Sequence, residues 1–291
     1  MDMVHGGRME WGENLAAQRA GRMAHKRLFE GQEHSPDNYL LVLANEGSDY
    51  YSPRHRHAWD QVRLCLEGSV PIGRDLKIDA GEIGYFPEGV YYGPQEGGPD
   101  RIVLLLQLGG ASGLGYLSPD QLREGRERLL AEGVFEQGVF RRTSGTGKKN
   151  QDAYEAIWQA VTGRPLEYPK PQYKTPVVMR PDGFAWRSLD AAPGVRRKCL
   201  GTFPERGLTL ELIALDSGAA HEIHAAPALR LMFVRAGQGR CGDQPFFTHT
   251  AVRIEPHEAL RLDTGEATEL LLMSVLAVDV PARSWCTTAS T

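Results

Sequence analysis

The chain has 291 residues, of which 41% are hydrophobic and 24% are charged. This length and composition are typical of a globular protein with two cores, and they exclude a disordered or fibrous chain. The formal net charge of −4 and the lack of a long run of either sign argue against a nucleic-acid or membrane-surface partner.

Cysteine usage and hydropathy indicate the compartment. The four cysteines, Cys65, Cys199, Cys241 and Cys286, form no CxxC pair, so neither a zinc knuckle nor a dense disulfide framework is indicated. The first residues lack the apolar region of a secretory signal, and no stretch of 18 apolar residues occurs. These features predict a cytoplasmic protein.

The first part of the chain predicts an arm followed by a barrel. Residues 1–37 are polar and are interpreted as an N-terminal arm with a short helix over residues 14–29. From residue 38 to residue 117, short apolar runs alternate with glycine and proline. Such runs are typical of the strands of a β-sandwich or β-barrel.

The second part predicts a connector and another barrel. Residues 118–183 are interpreted as a connector with two helices, over 118–131 and about 152–161, and a proline-rich extended segment. Residues 184–291 return to short apolar runs and turns, so they predict a second all-β unit. The predicted fold is therefore dominated by β-structure, with a few connecting helices.

The segment from Pro53 to Gln61 contains the most informative pattern. In an extended chain, side chains alternate between two sides, so His55, His57 and Gln61 project to the same side. Two convergent imidazoles are a common chelating unit for Zn, Fe, Ni or Cu. The spacing therefore predicts a metal-type site in the first unit.

This segment resembles the first motif of the cupin superfamily. That motif has two histidines separated by one residue, a glutamate three or four residues later, and a glycine after six more. His55, His57, Gln61 and Gly68 occur at this spacing, with glutamine in place of glutamate.

The second cupin motif is also matched in spacing. Gly81, Pro87 and Gly89 stand at the family positions, and Tyr92 stands where the family has its third histidine. The resemblance implies two tandem cupin barrels of the jelly-roll type. It also implies one divalent transition metal ion in the first barrel, which is Fe, Ni, Mn, Zn or Cu.

The substitutions leave several roles open. The resemblance gives His55, His57, Gln61 and Tyr92 as the metal ligands, with Gln61 a weak neutral donor. Tyr92 is either a ligand or a general acid or base, and Arg63, which shares the parity of Gln61, is a candidate for binding a substrate carboxylate. The alternative is a pair of hydrogen-bonded histidines in a pocket without metal.

The second unit repeats the first motif in degenerate form. His224 is retained there, but Ala226 and Arg230 stand in ligand positions, and Arg261 stands where the last histidine belongs. Arginine has no free lone pair at neutral pH, so this barrel is predicted to be metal-free. Arg230 and Arg261 either form an anion-binding pocket or take part in structural ion pairs.

Three functional hypotheses follow. The first is a metal-dependent cupin enzyme, of the dioxygenase type, that acts on a small oxygenated organic acid or phenol. The second is a non-redox isomerase or lyase in which the metal ion polarises a carbonyl and Tyr92 moves a proton. The third is a non-catalytic protein that binds a small molecule. A small molecule is the expected partner in each case, and a homodimer is compatible with the sequence.

Overall fold

The structure is a computed structural model that describes residues 1–33, 38–99, 101–110, 112, 116–203 and 207–276. The chain forms two compact units. Among the described residues, one spans residues 11–179, and the other combines residues 1–10 with residues 180–276. Cys286 lies outside the described residues. No helix in these ranges combines the length and apolar character needed to cross a membrane.

The elements of the first unit are mostly short strands, with two helices near its end. They are, in chain order after β1 (Asp2–His5) of the other unit, β2 (Met23–Glu30), β3 (Tyr39–Glu46), β4 (Tyr51–Ser52), β5 (Trp59–Glu67), β6 (Ser69–Pro71), β7 (Lys77–Asp79), β8 (Ile83–Phe86), β9 (Gln95–Glu96), β10 (Ile102–Gly109), α1 (Pro119–Leu129), β11 (Gly133–Glu136), β12 (Val139–Arg142), β13 (Asn150–Asp152), α2 (Ala153–Thr162) and β14 (Val177–Met179).

The second unit continues with strands alone, apart from a short 3-10 turn at Pro181–Gly183. They are β15 (Arg187–Ser188), β16 (Val195–Phe203), β17 (Leu208–Leu215), β18 (Ala220–Ile223), β19 (Ala228–Ala236), β20 (Gly239–Cys241), β21 (Gln244–Phe246), β22 (Thr250–Ile254), β23 (Leu260–Thr264) and β24 (Thr268–Leu276). The predicted all-β class is confirmed, since all the sheets are antiparallel and the chain has few helices.

The first unit is built around a six-stranded sheet in the order β14-β8-β5-β10-β3-β2. Strand β5 lies inside this sheet, between β8 and β10, and its first seven residues are buried. The run of leucines in β10 packs between β5 and β3. This central position places the residues before and along β5 in the interior of the first barrel.

The predicted helix over residues 14–29 is wrong, because residues 23–30 form β2 and pair with β3 from Met23↔Glu46 to Glu30↔Leu40. Backbone pairing to the free edge of β3 outweighs the local helical preference of this polar segment. The predicted connector helices do form. Ser118 caps α1 and Asp152 caps α2, each by accepting hydrogen bonds from the first backbone amides.

The second unit has a seven-stranded sheet in the order β1-β22-β19-β24-β17-β16-β15 and a four-stranded sheet in the order β18-β23-β20-β21. Residues 1–37 therefore do not form a separate arm. Residues 2–5 are the edge strand of this sheet, with Asp2 opposite Arg253. The N-terminal amino group also pairs with Glu258 at 2.6 Å.

Deletion of residues 1–5 should destabilise the second unit. The deletion removes a four-residue ladder, and each backbone hydrogen bond has a net value of about 0.5–1.5 kcal/mol, so we expect a loss of roughly 2–4 kcal/mol. The deletion also exposes the unpaired backbone N–H and C=O groups of β22, and an exposed strand edge favours association between molecules. Thermal unfolding and light scattering measure both effects, and Asp2→Asn, which removes only the ion pair with Arg253, is the control. An unchanged unfolding midpoint contradicts the prediction.

Candidate active site

The two histidines of the first motif lie in the extended segment before β5, which begins at Trp59. His55 forms an isolated antiparallel bridge with Tyr92. The backbone N–H of each residue donates to the carbonyl oxygen of the other, at 3.0 and 2.9 Å. This bridge joins the two motifs. The ring centroids of His55 and His57 lie 4.8 Å apart.

The hydroxyl of Tyr92 lies between the two imidazoles. It is 3.0 Å from Nε2 of His55 and 2.7 Å from Nε2 of His57. The side chains of His55 and Tyr92 are buried, and that of His57 is partly buried. The nitrogens that the motif offers to a metal ion are thus both hydrogen-bonded to one phenolic oxygen.

The other ring nitrogens fix the direction of these bonds. Nδ1 of His55 lies 2.7 Å from the carbonyl oxygen of Pro53, which can only accept, so His55 carries its hydrogen on Nδ1. Nδ1 of His57 lies 3.1 Å from the amide nitrogen of Gln61, which can only donate, so His57 carries its hydrogen on Nε2. His57 therefore donates to Tyr92, and Tyr92 donates to His55.

Arg63 fixes the orientation of the Gln61 amide. Its Nε and one terminal nitrogen donate to Oε1 of Gln61, at 3.2 and 3.1 Å. The terminal nitrogen also donates to the Tyr92 hydroxyl at 3.2 Å. If the Gln61 amide were flipped, its NH₂ group would face the donors of the Arg63 guanidinium. Arg63 therefore directs the NH₂ group of Gln61 towards Nδ1 of His57. The Glu46 carboxylate lies 3.9 Å from the other terminal nitrogen of Arg63, and it pairs with Arg101 at 2.9 Å.

Burial and charge keep the network uncharged. Burial lowers the pKa of His55 and His57 well below the ordinary value, and the guanidinium groups of Arg19 and Arg63 lower it further. Burial raises the pKa of Tyr92, and the same two guanidinium groups offset part of that rise. At neutral pH the site therefore contains two neutral imidazoles and a protonated phenol.

This arrangement does not fit a resident metal ion. A histidine that binds a metal through Nε2 needs a free lone pair there and an acceptor for its Nδ1 hydrogen, and His57 has the reverse of both. The oxygen of Gln61, a predicted ligand, is occupied by Arg63. In the described part of the chain, no three His, Cys, Asp or Glu side chains are grouped to hold a cation.

A cavity of about 60 Å³ adjoins the network. Its volume is about that of two molecules in liquid water, each of roughly 30 Å³. Three buried donors on its lining residues have no hydrogen-bond acceptor among the described residues: one terminal nitrogen of Arg63, the indole N–H of Trp59 and the hydroxyl of Tyr116. Such donors are satisfied by bound water or by a ligand with oxygen acceptors.

Arg19 closes the cavity from the loop that precedes β2. Its guanidinium donates to the Asp152 carboxylate at 2.9 Å and to the Gly138 carbonyl at 3.2 Å. Sequence reasoning missed Arg19 and Tyr116, because neither belongs to a cupin motif. The only signal for Arg19 was an arginine in a segment interpreted as an arm.

The predicted ligand positions of the second barrel carry no metal-type cluster. Arg230 donates to the backbone carbonyls of His224 and Glu258. Arg261 is exposed and pairs with Asp263 at 3.0 Å. His221 lies in β18, which ends at Ile223, and His221 and His224 line one cavity.

No family model matches the chain, and no curated protein matches it in sequence. Solved structures do match in fold. A candidate dioxygenase from Nostoc punctiforme superposes with a TM-score of 0.62 at 11% identity, over 96% of this chain and 84% of that one. The oxalate decarboxylase of Bacillus subtilis gives a TM-score of 0.56 at 12% identity, over 94% and 76% of the two chains. A Geobacillus kaustophilus protein gives 0.54 at 10% identity, over 96% of each chain.

Replacing Gln61 by glutamate should create a metal site. A carboxylate gives Nδ1 of His57 an acceptor, which moves the hydrogen off Nε2, and it adds a negative charge beside the imidazoles. We expect Gln61→Glu to bind Mn²⁺ at least about ten-fold more tightly than the parent chain in calorimetric titration. Gln107→Glu is the matched control. Gln107 on β10 is the register partner of Gln61 on β5, and it lines the cavity that adjoins the network. Equal affinity in both variants contradicts the assigned tautomer.

Proposed function

We propose that this chain, which has the two-barrel cupin fold of these structures, is an enzyme that binds a small organic acid in its first barrel and moves a proton through Tyr92 without a resident metal ion. The observation that supports this proposal most directly is the small cavity lined by Arg63, Trp59 and Tyr116, each of which has a buried donor without a hydrogen-bond acceptor; the Arg63 donor also lies 3.9 Å from the Glu46 carboxylate. These donors match the oxygens of a carboxylate, and the guanidinium supplies the opposite charge.

The volume of the cavity restricts the acid. About 60 Å³ accommodates a carboxylate with one or two further carbon atoms, whereas a phenol requires the loop around Arg19 to move. A 2-oxo acid suits the site, because its carboxylate and neighbouring carbonyl present three oxygen acceptors to three donors. Pyruvate is the smallest such acid and serves as the probe.

The hydrogen-bond chain supplies a route for one proton. Tyr92 passes its hydrogen to Nε2 of His55, 3.0 Å away, and the lone pair that this frees on the phenolic oxygen takes a proton from the carbon next to the substrate carbonyl. The electron pair released from carbon is delocalised onto the carbonyl oxygen, which faces the donors. A bound carboxylate also offsets the charges of Arg19 and Arg63, and this raises the basicity of His55 during the reaction.

The metal-dependent oxygenase predicted from the motifs is the competing hypothesis. It is favoured by the convergence of two Nε2 atoms on one point and by the likeness to a candidate dioxygenase. The Bacillus subtilis oxalate decarboxylase contains Mn(II) centres. Under our proposal, untagged protein contains far less than one metal ion per chain, and pyruvate binding survives treatment with EDTA. One bound ion per chain, with oxygen uptake that EDTA abolishes, contradicts our proposal and supports the oxygenase.

Arg63→Met should weaken pyruvate binding by at least about ten-fold, because the carboxylate loses a charge-assisted hydrogen bond in a buried site. Glu46 keeps its partner Arg101 in this variant. Calorimetric titration measures the affinity, and Arg56→Met is the matched control, because Arg56 stacks on Tyr91 and Tyr168 instead of lining the cavity. Equal loss in the two variants excludes Arg63 as the anion-binding residue.

Tyr92→Phe should abolish proton transfer and retain binding. The change removes only the hydroxyl, so we expect the exchange of pyruvate methyl hydrogens for deuterium in D₂O to slow by about 10²–10⁴-fold, the usual value of a general acid or base. Proton NMR follows the exchange, and Tyr91→Phe, at an exposed neighbouring tyrosine, is the control. If the parent chain binds pyruvate and catalyses no exchange, the catalytic part of the proposal is wrong and a binding function remains.

A further inference from the structure

The second barrel contains a much larger cavity, of about 640 Å³. Its wall is formed by inward-facing residues of neighbouring strands, which stand opposite each other in the register. Arg230 on β19 is opposite Ser274 on β24, and Leu272 on β24 is opposite Glu211 on β17. The volume is in the range of cavities that hold small organic ligands, about 300–1,000 Å³.

Arg230 is the unusual group in this wall. It is only 3% exposed, and its two terminal nitrogens donate to the carbonyl oxygens of His224 and Glu258. Its Nε is buried without an acceptor. The Glu258 carboxylate acts on Arg230 electrostatically, but it pairs with the N-terminal amino group at 2.6 Å and not with the guanidinium. The two carbonyls hold the guanidinium in place but carry no net charge. A buried positive charge without a directly paired carboxylate is costly, and an anionic ligand relieves that cost.

Three carboxylates, those of Asp190, Glu211 and Glu222, also lie in the wall. Arg197 lies 3.6 Å from Glu211, and Arg261, which also lines the cavity, lies 3.0 Å from Asp263. The wall carboxylates repel a dianion, so the position beside Arg230 favours a single negative charge.

Apolar side chains form much of the rest of the wall. Ile213, Ile223 and Leu272 are each buried and contribute to the core of this barrel. A ligand that fills the cavity therefore covers apolar surface with its body, which stabilises binding in proportion to the area removed from water. A compact inorganic anion cannot make these contacts.

We infer that the second barrel is a binding site for an organic monocarboxylate with an apolar body, whose carboxylate pairs with Arg230 and whose body packs on Ile213, Ile223 and Leu272. The inference does not depend on the function proposed for the first barrel. The two cavities differ about ten-fold in volume, so a bulky acid discriminates between them.

Benzoate tests this inference in calorimetric titrations of the full chain. We expect one benzoate per chain, no competition from pyruvate, and binding of the neutral isostere benzamide at least about ten-fold weaker. Arg230→Met should weaken benzoate binding by a similar factor and leave the affinity for benzamide unchanged. Arg196→Met, at an exposed arginine that pairs with Asp216 and does not line the cavity, should change the affinity less than two-fold.

Several results would overturn the inference. They are an absence of benzoate binding, equal affinity for benzoate and benzamide, inorganic phosphate binding more tightly than benzoate, and an Arg230→Met chain that binds benzoate normally. If Arg230→Met fails to fold, as judged by circular dichroism, Arg230→Lys keeps the charge and shifts its position. This variant should still prefer benzoate to benzamide, and loss of the preference is contrary to the inference.

Discussion

The pair of hydrogen bonds from Arg63 to the oxygen of Gln61 determines the chemistry of the first barrel. The glutamine cannot rotate while the guanidinium holds its oxygen, so its NH₂ group faces His57. That single orientation places the hydrogen of His57 on the nitrogen directed at Tyr92. The residues that have the spacing of a metal centre therefore form a hydrogen-bonded chain of neutral side chains, from Gln61 through His57 and Tyr92 to His55. The positive charge beside this chain is that of the Arg63 guanidinium.

The two barrels depart from the cupin motif in the same electrostatic direction. In the first, Gln61 stands where the motif has a carboxylate, and Arg63 follows two residues later. In the second, Arg230 occupies the carboxylate position itself. Each position lacks the negative group that attracts cations, and a buried guanidinium lies at or near it. Under our two proposals both barrels bind anions, and the difference in cavity volume sets the size of the anion each one accepts.

The sequence predicted the features that depend on spacing and local chemistry. The all-β class, the cupin fold and the two helices capped by Ser118 and Asp152 are encoded in short patterns and are confirmed. The strand formed by residues 23–30 was missed, because its stability comes from pairing with β3, which no local pattern shows. The convergence of His55, His57 and Tyr92 was visible in the motifs, but the direction of their hydrogen bonds depends on the orientation of one amide. That orientation is a tertiary property.

The ladder between β1 and β22 joins positions 251 residues apart, Asp2 and Arg253. Pairings so distant in sequence require a large loss of chain entropy before they contribute stability, and they slow folding. During synthesis, the first strand has no partner in its sheet until the polypeptide has grown past Ile254. Residues 2–5 therefore remain without their native partner while most of the other strands of this sheet are synthesised.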